Sequence, residues 1–281
     1  IMLTALVVHL VAALAAPLLV RRAPRLAPWL LAAAPLTAAV VVTRLWATVA
    51  PGDVRLDLPW VPELGAALAL RADGLAALMV LLVGVITAVV VIYTGRYLAG
   101  HPRLGSLLAL LLLFAGAMVG LVLADNVWWL FVCWEITSVT SFFLVGFKHN
   151  DAGARDAAQR ALLTTGAGGL ALLGGLAVLV VMGLRTGLSA ADAATISVLI
   201  GHGEALRLDP LYPLALGLIL AGCATKSAQM PLHHWLPAAM AGPTPVSALL
   251  HSATMVKAGV FLLARLHPAL GGTELWTALL V

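Results

Sequence analysis

Lys226 lies inside an otherwise apolar segment, 211-LYPLALGLILAGCATKSAQMPLHHW-235, five residues before Pro231. Three more ionisable residues sit deep in apolar stretches: Glu135 in 126-NVWWLFVCWEITSVTSFFLVGF-147, and His251 and Lys257 in 242-GPTPVSALLHSATMVKAG-259. A mid-helix charge in a bilayer costs roughly 2.5–3.5 kcal/mol on insertion scales, and such groups face a bundle interior, a water-filled cavity or one another. An acid, two amines and an imidazole in one bundle can hold and pass a proton. Burial disfavours the charged form of each, and an opposite charge nearby restores it. At about 6 Å and an effective dielectric near 20, one Glu–Lys pair is worth roughly 3 kcal/mol, or about 2 pK units. Moving Glu135 or its charge relative to Lys226 would therefore load or release a proton.

The surroundings of each residue sharpen that chemistry. Pro231 has no N–H for the carbonyl of Ser227 and its ring clashes in that turn, so the helix is predicted to break just beyond Lys226. Irregular backbone is tolerated in a membrane where it lines a cavity, and broken helices hold ion paths in transporters. Ser138 lies three positions after Glu135 on the same helical face. Ser247, His251 and Thr254 fall at i, i+4 and i+7 on one face, with Lys257 three residues further, a spacing suited to a proton relay. A protonated Glu135 joining two helices, a snorkelling Lys226 or a carbonyl-bonded His251 would each explain one residue but not the set. Other chemistry is not indicated. Cys133 and Cys223 lie in predicted spans without a second ligand at metal spacing, and the adjacent His233 and His234 point to different sides of a helix. No phosphate loop, Ser/His/Asp arrangement or iron–sulfur cysteine set is present, so no cofactor and no metal are expected.

The elements that must position these residues are membrane helices. Of 281 residues 62% are hydrophobic and 10% charged, with mean hydropathy +1.06, far from a soluble domain. A span needs roughly 20 mainly apolar residues. Such runs recur at 2–20, 27–50, 72–95, 105–124, 127–147, 161–183, 211–230 and 244–265, and 275–281 reads as the start of a ninth. The expected fold is an all-α polytopic transmembrane bundle with a broken seventh helix. It forms a single domain over 1–281 that reads as a fragment, since it opens on Ile1 and stops within an apolar run. The first run is not a cleavable signal, because Arg21, Arg22 and Arg25 follow it. Alternate connections carry Arg21, Arg22, Arg25, Arg96, Arg103, Lys148, Arg155 and Arg160 against only Asp151 and Asp156. The intervening ones, including Arg265 and Asp53, are net acidic, which predicts an outward-facing N-terminus. The basic excess comes from this asymmetry and does not point to nucleic acid. The long connections 51–71 and 184–210 are expected to form hairpins or surface helices, and 148–160 a solvated polar link. The glycines of 166-GAGGLALLGG-175 suit close helix packing in lipid.

The string 225-TKSAQMPLHHWLPAAMAGPTPVSALLHSATMVKAGVFLLAR-265 closely resembles the proton-translocating core of the antiporter-like membrane subunits shared by respiratory complex I, membrane-bound hydrogenases and Mrp-type Na⁺/H⁺ antiporters. On that resemblance Glu135 is the glutamate of the fifth helix, Lys226 the lysine of the broken seventh, and His251 and Lys257 the relay residues of the eighth. The hydroxyl-rich run after Trp134-Glu135, and Lys257 within Met-Val-Lys-Ala-Gly, are similar to the A-type subunit of Mrp antiporters; Gly242 ahead of Pro243, and Ala238, are more like complex I. The Mrp A-type subunit is favoured. The resemblance implies helices one to three over 1–104 and a first helix repeat, helices four to eight, over 105–265. It implies a non-enzymatic component of a secondary antiporter, working with other antiporter subunits in a bacterial or archaeal plasma membrane, with H⁺ movement coupled to Na⁺ efflux and no ATP or redox cofactor. The alternative is the proton-pumping membrane subunit of complex I or a hydrogenase, where the same residues serve and electrons enter through other chains. A scaffold whose buried charges only fix helix packing is a third reading.

Overall fold

Apolar runs have no water in a bilayer to satisfy their backbone, so they close their own hydrogen bonds as helices. The computed structural model of the chain describes residues 2–49 and 54–280, and seven of its helices are long and apolar enough to cross a membrane. Six are α1 (Met2–Arg22), α2 (Ala27–Val49), α3 (Gly74–Tyr97), α4 (Leu104–Leu123), α5 (Val127–Val145) and α6 (Ala152–Arg185). The seventh, Thr244–Leu270, is interrupted: α12 (Thr244–Ser247) runs into a π-helical turn, Ala248–Ala253, and then α13 (Met255–Leu270). Between them α10 (Tyr212–Lys226) is a shorter apolar helix that stops at the lysine, and α11 (Trp235–Ala239) follows the break. The predicted broken seventh helix is therefore present. Helix α14 (Glu274–Leu280) occupies the predicted start of a ninth. Ile1, residues 50–53 with Asp53, and Val281 lie outside the described residues, and with them the first part of the predicted 51–71 connection.

The two long connections fold as expected of surface segments. Strands β1 (Val54–Val61) and β2 (Ala66–Ala72) pair as an antiparallel hairpin, and α7 (Ala190–Ala193), α8 (Ile196–Gly201) and α9 (Gly203–Leu208) fill the second connection. Both gather over the α4–α5 corner. Asn126 caps α5 by accepting from Trp128 N at 3.0 Å, and its amide donates to Gly65 O in the hairpin at 2.8 Å. Asp125 accepts from Ser197 N at 2.9 Å and Ser197 Oγ at 2.7 Å, which docks α8 on the same corner. Helix α4 packs against α1, α3, α5 and α13 and is the most buried span. One connection differs from expectation. The stretch 152–160 is the start of α6, with Ala154, Ala157 and Ala158 buried and its charges exposed, because Asp151 caps it through Gly153 N at 2.8 Å, its alanines favour helix, and Asp156 pairs with Arg160 at 2.9 Å.

Arg265 also departs from its place among the loop charges. It lies near the end of α13, 7% exposed, and its guanidinium chelates Asp73, the residue that caps α3 through Ala76 N at 2.9 Å. Burial would push the Asp73 carboxyl up, but Arg265, the Ala76 amide and the Arg71 charge outweigh it and hold the group below the usual carboxylate range. The stability this pair contributes is thus present above about pH 3.9, the unfolded value, and is lost as pH falls through the lower folded value. Asp73→Asn keeps the cap and leaves Arg265 buried without its counter-charge, so thermal unfolding in detergent should show a loss of about 3 kcal/mol. Asp73→Asn combined with Arg265→Met should lose less than the sum of the two single changes.

Candidate functional site

Lys226 is the last residue of α10 and is fully buried. Its ammonium donates to Trp134 O at 2.7 Å and to Ser138 Oγ at 2.8 Å, both on α5, and stands 4.7 Å from the centre of the Trp134 ring. A helix carbonyl keeps a second lone pair after serving its own ladder, and an aromatic face attracts a cation. Three dipolar groups of α5 therefore replace the water that Lys226 has lost. The other hydroxyls of the run turn back on their own helix: Thr137 donates to Trp134 O at 2.7 Å, Thr140 to Ile136 O at 2.6 Å and Ser141 to Ser138 O at 2.7 Å.

Glu135 is the next residue to Trp134, and no ion pair within 4 Å joins it to Lys226 among the described residues, although their charges are near enough to interact. Its carboxylate rests on α6, where a Cβ added at Gly169 would strike Oε1. That oxygen is buried and has no hydrogen-bond partner among the described residues. A buried acceptor left so costs about 1–3 kcal/mol, which a hydrogen bond from the Lys226 ammonium would offset. Gly168, beside it, makes room for Thr225 of α10 in the same way. The glycine pair thus seats the carboxylate and the residue before Lys226, which is more than the close packing read from its composition.

The break after Lys226 is held by specific bonds. Ser227 N still donates to Cys223 O at 2.9 Å, then Ala228 turns to φ 51° and the chain leaves the helix. The carbonyl that Pro231 was expected to free, Ser227 O, accepts from Gln229 Nε2 at 3.3 Å, and Thr225 O accepts from the indole of Trp235 at 2.9 Å. Ser227 Oγ donates to Val256 O on α13 at 2.7 Å. Trp235 also faces His251, with ring centres 6.2 Å apart, and neither imidazole nitrogen has a hydrogen-bond partner among the described residues. Trp235 thus stands between the end of α10 and His251.

Thr254 and Lys257, which follow the π turn, part from the face of His251. The expected stripe of Ser247, His251, Thr254 and Lys257 assumed an α-helical period, whereas a π turn closes i→i+5 and rotates the residues after it. Ser247 is half-buried, Thr254 is fully buried with its hydroxyl donating to Leu249 O at 2.5 Å, and Lys257 is exposed on α13. The side chain of Lys257 makes no hydrogen bond or ion pair among the described residues. The structure therefore brings together Glu135, Ser138 and Lys226, sets His251 behind Trp235, and leaves Lys257 apart. Sequence reasoning gave Trp235 no part in the site and read Gly168 and Gly169 only as packing glycines; the glycines and the indole were visible as residues but not as neighbours of the site. It also passed over His9, a 1% exposed imidazole in α1 that bonds Ala5 O at 2.7 Å and packs on Gly116.

Residues 124–281 match the family model described as NADH:quinone oxidoreductase/Mrp antiporter, TM, and residues 60–106 match that of the complex I chain 5 N-terminus. The chain is 47% identical over 251 residues to the A/B subunit of a probable K⁺/H⁺ antiporter of Rhizobium meliloti, covering 88% of this chain and 24% of that protein. It is 39% identical over 281 residues to the A1 subunit of a Na⁺/H⁺ antiporter of Staphylococcus aureus, covering 99% of this chain and 34% of that one. The solved Mrp complex from Dietzia sp. superposes with TM-score 0.88 at 40% identity, covering 100% of this chain and 29% of its counterpart. The archaeal membrane-bound sulfane sulfur reductase gives TM-score 0.78 at 19% identity over 97% of this chain and 41% of its own, a likeness of fold alone. The chain spans between 24% and 34% of these curated relatives.

The glycine seat makes a structural prediction. Gly168→Ala brings a methyl within 2.5 Å of Thr225 Cβ, an atom fixed to the α10 backbone, and should cost about 1–3 kcal/mol of stability as an overpacked contact. Gly174→Ala meets only Leu218 Cδ1 at 3.5 Å, an ordinary contact, and should be neutral or slightly stabilising in the same thermal-unfolding assay.

Proposed function

Because the chain belongs to the NADH:quinone oxidoreductase/Mrp antiporter family of membrane subunits, we propose that it carries protons as the A-type subunit of a multisubunit Na⁺/H⁺ antiporter. The observation that carries this reading is the seat of Lys226: a fully buried ammonium solvated by Trp134 O and Ser138 Oγ, with the carboxylate of the residue after Trp134 holding an oxygen that has no protein partner among the described residues. Two arrangements of the same side chains follow. In one the ammonium keeps the α5 dipoles and Glu135 stays against α6; in the other it leaves them for the carboxylate, trading hydrogen bonds for charge. Exchange between the two alters which group can keep its proton. The broken end of α10 supplies the freedom for that movement, and Trp235, bonded to Thr225 O, couples it to His251. Lys257, exposed on α13, is where the path leaves the bundle face.

The antiporter names of the relatives support transport without redox chemistry in this chain, and they differ in cation, Na⁺ in one and K⁺ in the other. The working unit in this reading is a hetero-oligomer with other antiporter subunits in a bacterial or archaeal plasma membrane. Its N-terminus faces outward, with Arg21, Arg22, Arg25, Arg96 and Arg103 on the inner side. Everted vesicles carrying the assembled complex and a pH-sensitive dye test the mechanism. Lys226→Ala should lower Na⁺-dependent proton movement by roughly a hundredfold, the scale of one positioned proton-transfer group. Intact transport in that variant would refute the path. Ser138→Ala, which removes one of the two hydrogen-bond acceptors of the ammonium, should lower the rate about tenfold with assembly unchanged. Replacing Na⁺ by K⁺ in the same vesicles should abolish the signal if Na⁺ is the coupled ion.

A further inference from the structure

At the opposite end of the bundle from the β-hairpin, a cavity of about 540 Å³ opens between the α1–α2 link, the start of α2 and the end of α3. Gly95 lies so close to Pro28 that a Cβ there would enter the proline ring, so the ring packs directly on the α3 backbone and the space opens beside the contact. Its walls are apolar, with Ile92, Leu104 and the half-exposed ring of Trp29. Its rim carries Arg25 and Arg96, and no acidic residue lines it. Neither guanidinium makes a hydrogen bond or ion pair among the described residues. Arg103, Arg155 and Arg160 at the same end are each engaged, with Phe147 O, His149 O and Asp156 respectively.

We propose that this cavity binds an anionic phospholipid, with the phosphate between Arg25 and Arg96 and the glycerol and upper acyl chain against Trp29, Ile92 and Leu104. The depth fits. Helix α1 ends at Arg22, α2 begins at Ala27 and α3 ends at Tyr97, so the arginines sit where spans meet headgroups. Tyr93 and Tyr97, stacked 5.4 Å apart and both exposed, mark the same level as an interfacial aromatic pair. The chemistry fits as well: a guanidinium offers paired donors to phosphate oxygens, and basic pockets between membrane helices take anionic headgroups. A free phosphate would use the two arginines and leave the apolar walls uncovered, whereas a lipid covers both.

The test uses the assembled complex in detergent with a phosphatidylglycerol that carries a photoreactive acyl chain, and maps the labelled peptides by mass spectrometry. Label is expected on residues 24–30 and 92–104. It should fall roughly thirtyfold in Arg25→Gln/Arg96→Gln, at about 1 kcal/mol for each arginine. Arg21→Gln/Arg22→Gln removes the same charge from exposed positions outside the cavity and should retain the label. In the unmodified protein, unlabelled phosphatidylglycerol should compete, while phosphatidylcholine and inorganic phosphate in large excess should not. Equal loss in both double variants, or competition by phosphatidylcholine, would overturn the site. Competition by inorganic phosphate would reduce it to a free-anion site and overturn the lipid.

Discussion

An ammonium removed from water has to be solvated by something else, and in this bundle α5 does it. The Trp134 carbonyl, the Ser138 hydroxyl and the Trp134 ring converge on Lys226 Nζ. The rest of the arrangement answers that demand. Helix α10 must stop at the lysine so that the side chain reaches sideways to α5, and α6 must come close behind to complete the enclosure. Dipoles rather than a direct ion pair hold the charge, which leaves the neighbouring Glu135 uncommitted. A fully formed salt bridge would be harder to open, since separating a buried pair exposes two unsolvated charges.

Close approach is made possible by small residues. Gly168 and Gly169 let α6 accept Thr225 and Glu135 in adjacent notches, and Gly222 of α10 faces Leu172 and the Gly168 carbonyl in the same contact. In lipid, where no hydrophobic effect drives helices together, such backbone proximity is the main source of packing energy. The same glycines therefore serve stability and the position of the carboxylate. At the end of the bundle that carries the hairpin, polar anchors take over: Asp125, Asn126 and the Asp73–Arg265 pair tie the long connections and the end of α13 to the α3–α5 core. This gives α13 one firm end. Its other end begins at the π turn that carries His251, where backbone bonding is least regular.

The amino-acid order alone made legible the features that are local and strongly periodic. The spans, the break beyond Lys226 and the shared face of Glu135 and Ser138 come from hydrophobic run length, the missing proline N–H and the 3.6-residue period. The alanine-rich start of α6 was read as a link because its charges masked a capped helix. Phase was the weak point in the eighth helix. One π turn was enough to bury Thr254 in a backbone bond and to put Lys257 on the exposed face, and no composition rule marked that turn.

Residue types determined that this chain is a membrane bundle with an acid, an imidazole and two amines set in apolar sequence, since apolar length and the cost of a buried charge are properties of the order itself. The tertiary structure decided which of these meet. Lys226 rests on a carbonyl and a hydroxyl of α5, Glu135 on a glycine of α6, His251 behind Trp235, and Arg265 on Asp73. These are contacts between segments far apart in the chain, governed by helix crossing and by the room a missing side chain leaves. Such distances are fixed only when the helices pack.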